Sequence, residues 1–271
     1  MAYTIAVLSQ KGGTGKTTAV RTLADAFRRS EVRTLAVDLD PQGNLSDYFD
    51  LDPEVAPTIA DVLAGRAKAS EAIHSEIIPA NLSLAEAELM LGGKMGRELT
   101  LRRALAELPG EHDLVLIDCP PSLGLLTVNA LVAADHALVT AEAQYFALQG
   151  VEQAMEVVEL ARDSLNPELG LLGVLLNLAD MRTVHSREAL VSLQERFGGQ
   201  VFDTVIRASI AYAESAERAR SILDYRPDLG ADYISLAGEV LDRLPGFEVA
   251  RQRVLALDAG RAHVGAGGSG S

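Results

Sequence analysis

A chain of 271 residues, 48% hydrophobic and 23% charged, is long enough for one large α/β domain with a buried core, and nothing in it requires a second. No apolar run approaches the length of a membrane span, and Met1-Ala-Tyr-Thr4 lacks the basic-then-apolar pattern of a secretory leader, so the expectation is a cytoplasmic protein. The single cysteine, Cys119, excludes an internal disulfide or multi-cysteine metal site, and a net charge of −14 argues against a surface that attracts nucleic acid everywhere while allowing a local basic patch.

Apolar, β-rich runs at 5–8, 34–37, 114–117, 137–141, 171–176 and 201–206 are separated by stretches long enough for helices. That alternation predicts a single-domain α/β fold, a parallel-rich twisted sheet with helices on both faces. The first strand runs directly into Ser9-Gln-Lys-Gly-Gly-Thr-Gly-Lys-Thr-Thr18, which ends as a phosphate-binding loop does. In such a loop the glycine N–H groups wrap phosphates, and the following helix adds the positive end of its dipole. Lys16 is placed to reach the β- and γ-phosphates and Thr17 to hold Mg²⁺. The candidate cradle is Lys11, Gly12, Gly13, Thr14, Gly15, Lys16, Thr17 and Thr18. Gln10 stands where glycine is usual, and Lys11 is a second lysine among the glycines. Val20, Leu23, Ala24 and Phe27 then recur at helical spacing within 17–29.

The second strand ends in Val37-Asp-Leu-Asp-Pro-Gln-Gly-Asn44. Asp38 and Asp40 share a face of an alternating strand at the carboxyl rim of the sheet, where ligands of such sheets bind. Asp40 is the candidate for positioning an attacking water, and Asp38 for supporting the metal site from behind. A helix is predicted over 56–65. The stretch 71–96, in which 77–79 and 82–84 read as short strands or as a loop packed on the edge, is taken as an insertion. After a helix at 99–107, the buried strand 114–117 ends in Asp118, the form of a Walker B element, and Asp118 is the candidate for holding a water of the Mg²⁺ shell. Any one of these aspartates alone reads as a strand terminator. Three strand ends carrying phosphate and metal chemistry together favour the functional reading. Cys119 is read as a small apolar residue beside the site.

Helices are predicted at 122–134, 151–165, 186–197, 210–223 and 231–244. Asn177 follows a buried strand; its amide either reads adenine through a paired donor and acceptor or simply ends the strand.

Lys11-Gly-Gly-Thr-Gly-Lys-Thr-Thr18, Val37-Asp-Leu-Asp-Pro-Gln-Gly-Asn44 and Ile117-Asp-Cys-Pro-Pro-Ser-Leu-Gly124 resemble the deviant Walker A ATPases of the ParA/MinD superfamily, and within it the Soj-like ParA partition ATPases. The similarity continues through Leu125-Leu-Thr-Val-Asn-Ala-Leu131, Tyr145-Phe-Ala-Leu-Gln-Gly150 and Asp180-Met-Arg-Thr183 to Gly230-Ala-Asp-Tyr233, nearly the whole chain before about residue 244. The resemblance implies a Mg²⁺-dependent P-loop ATPase that binds ATP and ADP and forms a homodimer with the nucleotides at its interface. Lys11 would contact the phosphates of the other subunit and compensate developing negative charge, making Lys11, Lys16 and Asp40 the catalytic candidates. Backbone near Ile206 and Arg207 would line the adenine pocket, although the usual Ile-Pro-Arg wording is missing. The resemblance also implies non-specific DNA binding by the ATP dimer, release after hydrolysis stimulated by a ParB-like adaptor, and a nucleoid-associated place in plasmid or chromosome partition or in positioning another cargo.

DNA binding needs basic surface. Residues 182–226 hold seven arginines against six acids in a chain of net −14, and Arg182, Arg187, Arg207, Arg218 and Arg220 are the candidates for phosphate contacts. Ala208 and Ala211 stand where the family often carries arginines. A MinD-like membrane role would use the segment 245–257, which is short of aromatics and not strongly basic. It is expected instead to pack as part of a helical extension, 246–263, on an ATPase domain spanning 1–245, with 264–271 a flexible Gly/Ser tail. Lys11 and the wording of 38–44 count against a metabolic carboxylate ligase of the same fold.

Overall fold

The computed structural model describes residues 2–144 and 146–265, with side chains as far as residue 258. In chain order the regular elements are β1 (Tyr3–Leu8), α1 (Lys16–Arg29), β2 (Thr34–Asp38), α2 (Asn44–Tyr48), α3 (Ile59–Ala64), β3 (Ile77–Ile78), α4 (Ser83–Leu91), α5 (Thr100–Ala106) and β4 (Leu114–Asp118). They continue with α6 (Leu125–Ala133), β5 (His136–Glu142), α7 (Ala147–Ser164), β6 (Gly170–Asn177), α8 (Val184–Phe197), α9 (Ala211–Glu217), α10 (Ile222–Tyr225), α11 (Pro227–Asp242) and α12 (Glu248–Gly265).

The strands form one six-stranded sheet in the order β3-β2-β4-β1-β5-β6, and every pairing is parallel. Alternation along each strand supplies two apolar cores. Ala6, Val37, Ile117, Val139 and Leu176 face one way, against α3 to α8. Val7, Ala36, Leu116, Leu138 and Leu175 face the other, against α1 and α9 to α12. Burial on both faces is why these strands read as continuous apolar runs. The carboxyl ends of β1, β2 and β4 lie side by side near the middle of the sheet, with Asp38 the register partner of Asp118.

Four expectations are corrected. The run 201–206 is not a sixth strand: it lies along β6 through isolated bridges, because the N–H groups of Asp203 and Thr204 donate to the Glu239 carboxylate of α11, each at 2.8 Å, instead of to the sheet. The stretch 71–96 is more than an insertion, since Ile77–Ile78 pairs with β2 as the outer strand of the sheet. Residues 82–84 open a helix rather than a strand, with Asn81 Oδ1 accepting the Ser83 N–H at 3.1 Å. The helix expected over 210–223 is two, separated at Ala219, whose φ of 46° is left-handed; Ser221 then accepts the Leu223 N–H at 3.3 Å to start α10.

Beyond α11, α12 packs back on the domain. Val254 is fully buried, and Gly238 of α11 lets Leu255 approach where a Cβ would lie 2.8 Å from its Cδ2. Arg253 pairs with Glu31 just past the C-terminal end of α1. The tail expected from 264 lies, from 266 onward, outside the described residues, as does Tyr145. Among the described residues no helix is long and apolar enough to cross a membrane.

Candidate nucleotide site

The loop between β1 and α1 is built on two left-handed glycines, Gly13 at φ 76° and Gly15 at φ 77°, conformations that side chains rarely adopt. Gly15 caps α1, so that helix begins at Lys16 with its N-terminal N–H groups turned to the loop. Lys16 is 6% exposed; Nζ donates to Ser9 Oγ at 2.9 Å and to the Lys11 carbonyl at 3.3 Å. Burial pushes its ammonium below the usual lysine range, and Asp118 opposes that shift. Lys11 behaves differently. It is exposed, with Nζ 5.5 Å from the centre of the Phe146 ring, which lies at the start of α7.

Two buried carboxylates close the site from below. Asp118 Oδ2 accepts the Thr17 hydroxyl at 2.7 Å, whereas Asp118 Oδ1 is buried without a hydrogen-bond partner among the described residues. An orphaned carboxylate oxygen beside a threonine hydroxyl fits an Mg²⁺ ion that keeps most of its water and phosphate ligands. Burial, and then the charge of Asp38, push Asp118 up to about 8. Asp38 is committed to its own loop: Oδ1 accepts the Asp40 N–H at 3.1 Å, and Oδ2 accepts the N–H and the hydroxyl of Ser46 at 2.9 and 2.7 Å. Burial raises it to about 6 against those three bonds. Asp40 lies just beyond, its Oδ1 accepting the Gln42 N–H at 3.0 Å in a tight turn.

Lys16, Thr17 and Asp40 open on one cleft of about 670 Å³, lined by Gly12, Gly13, Gly15, Lys16, Thr17, Thr18, Asp40, Asn44 and Tyr48 at one side and by Leu178, Ser209, Tyr212 and Ala213 at the other. Its volume falls in the range of small-molecule sites. Among the described residues no cluster of three or more His, Cys, Asp or Glu side chains is arranged to hold a metal, so a cation here would draw most of its ligands from phosphate and water. Cys119 is buried and its thiol is pushed up, first by burial and then by Asp118.

The other sequence candidates fall elsewhere. Asn177 is fully buried with its amide turned beneath the loop, Nδ2 donating to the Thr14 carbonyl at 2.9 Å and Oδ1 accepting the Leu178 N–H at 2.9 Å. Its donor and acceptor are thus spent on the chain, and it does not line the cleft. Ile206 is buried, its N–H bonded to the Leu176 carbonyl at 3.1 Å. Arg207 pairs with Asp232 at 2.8 Å, and Arg182 with Asp180 at 2.9 Å. Arg187 donates to the carbonyls of Met181 and Arg182 at 3.0 and 2.8 Å. Arg220 donates to the Asp224 carbonyl at 3.0 Å, and Arg218 sits 5.3 Å from the Tyr225 ring centre. Sequence reasoning missed Ser46, which holds Asp38, and Tyr48 and Tyr212, which line the cleft. Tyr48 and Tyr212 look like core aromatics by spacing, and Ser46 has no signal beyond lying eight residues after Asp38.

The family described as "AAA domain" matches residues 2–171. The chromosome partitioning protein ParA of Caulobacter vibrioides is 37% identical over 250 residues, covering 88% of this chain and 94% of that protein. This chain belongs to the ParA/MinD-type P-loop ATPases. The sporulation initiation inhibitor protein Soj of Bacillus subtilis is 36% identical over 249 residues, 89% of this chain and 98% of that protein. Among solved structures, a cobyrinic acid a,c-diamide synthase from Mycobacterium smegmatis with bound ADP and magnesium is 40% identical with a TM-score of 0.73, covering 80% of this chain and 91% of that one.

Proposed function

We propose that this chain is a cytoplasmic ParA-like partition ATPase that binds ATP with Mg²⁺, dimerises through it and uses hydrolysis to reset. The observation that carries the reading is the division of labour in one loop: Lys16 buried at the cleft beside Asp118, Lys11 exposed and turned outward over Phe146. A lysine in the first position serves the phosphates of its own subunit; one in the second is free to serve those of a partner copy.

The chain's own residues divide the work of phosphoryl transfer, which is mainly positioning and charge compensation. The Gly12-to-Gly15 backbone cradles the phosphates and Lys16 contacts their outer oxygens. Thr17 and the free oxygen of Asp118 would hold Mg²⁺ or its water, and the ion, when bound, would supply charge compensation to the phosphates. Asp38 stiffens the turn carrying Asp40, which orients the attacking water. Lys11, supplied by the partner, offsets charge as the γ-phosphoryl leaves. The bound dimer would engage DNA without sequence preference through Arg182, Arg187, Arg218 and Arg220, with Arg207 held by Asp232, and a ParB-like adaptor would stimulate hydrolysis. The named ParA relative supports chromosome partition as the setting.

Self-association and DNA binding, measured with ATP, ADP and no nucleotide, test this. Lys16→Ala should lose nucleotide binding, Lys11→Ala should bind nucleotide without dimerising, and Asp40→Ala should accumulate the ATP-bound dimer. Normal hydrolysis by Asp40→Ala would remove that residue from the mechanism. The name of the Mycobacterium smegmatis structure favours a second reading, an amide-forming synthase. Under it ATP turnover would require a carboxylic acid and an amine donor and would be indifferent to Lys11→Ala.

A further inference from the structure

Ser9, immediately after β1, has no hydrogen-bonding capacity left over. Its hydroxyl donates to the Lys11 carbonyl at 2.6 Å and accepts both Lys16 Nζ and Thr14 Oγ1 at 2.9 Å. A hydroxyl carries one proton and two lone pairs, and here all three are used. Because the Thr14 proton is given to Ser9, the contact of 3.0 Å between Thr14 Oγ1 and Thr140 Oγ1 has Thr140 of β5 as its donor. The result is a one-way chain of hydroxyls, Thr140 to Thr14 to Ser9 to the Lys11 carbonyl, with Lys16 joining at Ser9. Ser9, Thr14 and Thr140 are 1%, 4% and 2% exposed, so water does not compete for these bonds.

We propose that Ser9 is a positioning residue that sets the two lysines of the loop together, holding the Lys16 ammonium at the cleft and fixing the main chain from which Lys11 projects outward. The inference rests on the assignment of Lys16 and Lys11 to the phosphates of the two subunits. No other side chain among the described residues is bonded to both. Orientation of Lys16 by a buried, charge-assisted hydrogen bond limits the directions its ammonium takes. Orientation of Lys11 comes through its own carbonyl, so Ser9 governs a side chain it never touches.

The test compares wild type, Ser9→Ala, Ser9→Thr and Thr140→Val for kcat and KM with Mg-ATP and for ATP-dependent self-association. Ser9→Ala should lower kcat about tenfold and need about tenfold more protein to self-associate, the loss expected for one charge-assisted hydrogen bond. Ser9→Thr keeps the hydroxyl and should recover most of both. Thr140→Val breaks only the far link, leaving Ser9 bonded to both lysines, and should stay within about threefold of wild type. Should Ser9→Ala not fold, Ser9→Cys, close in volume with a weakly bonding sulfur, replaces it. Ser9→Ala at wild-type levels in both assays overturns the proposal. So does Thr140→Val as damaging as Ser9→Ala, which would mean that loop packing alone is at stake, or a Ser9→Thr that recovers neither property. A wild type that neither hydrolyses ATP nor self-associates would instead overturn the ATPase reading on which the proposal rests.

Discussion

Asn177 Nδ2 occupies the space over Gly15 that a Cβ would need, while donating to the Thr14 carbonyl at 2.9 Å. The end of β6 is therefore a template for the phosphate loop. Gly15→Ala is expected to abolish nucleotide binding, because the new methyl collides with a buried amide and forces a residue at φ 77°. Asn177→Ala should lower stability by about 1–3 kcal/mol, since the loop loses a buried donor. Nucleotide titration and denaturant unfolding of the two variants check these outcomes.

Asp118 and Asp38 put two buried carboxylates on adjacent strand ends in register. Burial first, and then the charge of Asp38, disfavour the ionised form of Asp118 in the folded chain, so at neutral pH, where the unfolded carboxyl is ionised, this group lowers stability. Asp118→Asn is expected to raise the melting temperature measured without Mg²⁺ by about 2 °C, the equivalent of about 1 kcal/mol in a domain of this size. Mg²⁺-dependent hydrolysis should fall at least about a hundredfold in the same variant. An unchanged or lower melting temperature at neutral pH would mean that burying this carboxyl costs no stability.

Asp61 governs the first turn of α3 at the edge of the sheet. Its Oδ2 accepts the Thr58 N–H and its Oδ1 the Arg66 Nε–H, both at 2.9 Å, and these bonds hold its carboxyl below the usual range, with the Thr58 bond foremost. A folded-state value below the unfolded value of about 3.9 adds stability that is complete above the unfolded value and lost as pH falls through the folded one. Asp61→Asn should thus be less stable than wild type at neutral pH, with the gap closing below about pH 4. Urea midpoints of the pair across pH 3 to 7 measure it.

Arg182 and Arg207 should respond differently to DNA. Arg182 has a side chain 91% exposed and a partner, Asp180, that solvent readily replaces. Arg207 is tied at Nε and Nη2 to Asp232, whose side chain is 16% exposed. Arg182→Ala is expected to reduce the salt slope of DNA binding by about one, whereas Arg207→Ala should chiefly lower stability. Affinity measured over a range of salt, beside thermal unfolding, separates the two.

Most of the sheet was legible because both faces are buried, which leaves strands as apolar runs ending in polar residues. The run 201–206 has the same look and is no strand, since the competing acceptor, Glu239, lies 35 residues past Thr204 and carries no local signal. β3 and α4 were ambiguous because two residues and a single apolar face satisfy either period. The cradle, Asp40 and Asp118 stood out through spacing and composition. Which groups hold Asn177 and the arginines in place depends on the partners the fold brings near them, and that lies beyond any window of sequence.

The burial of Cys119 has a practical side. With its thiol shielded and held protonated, the chain carries no native cysteine for alkylating reagents to find. Gln252→Cys, on the exposed face of α12 beside the Arg253–Glu31 pair, would create a single reactive position. That position is roughly the length of α1 away from the phosphate loop, about 20 Å at 1.5 Å per residue. A maleimide fluorophore placed there would follow assembly and disassembly of pairs by energy transfer in real time, without a fusion protein and without touching the chemistry it reports.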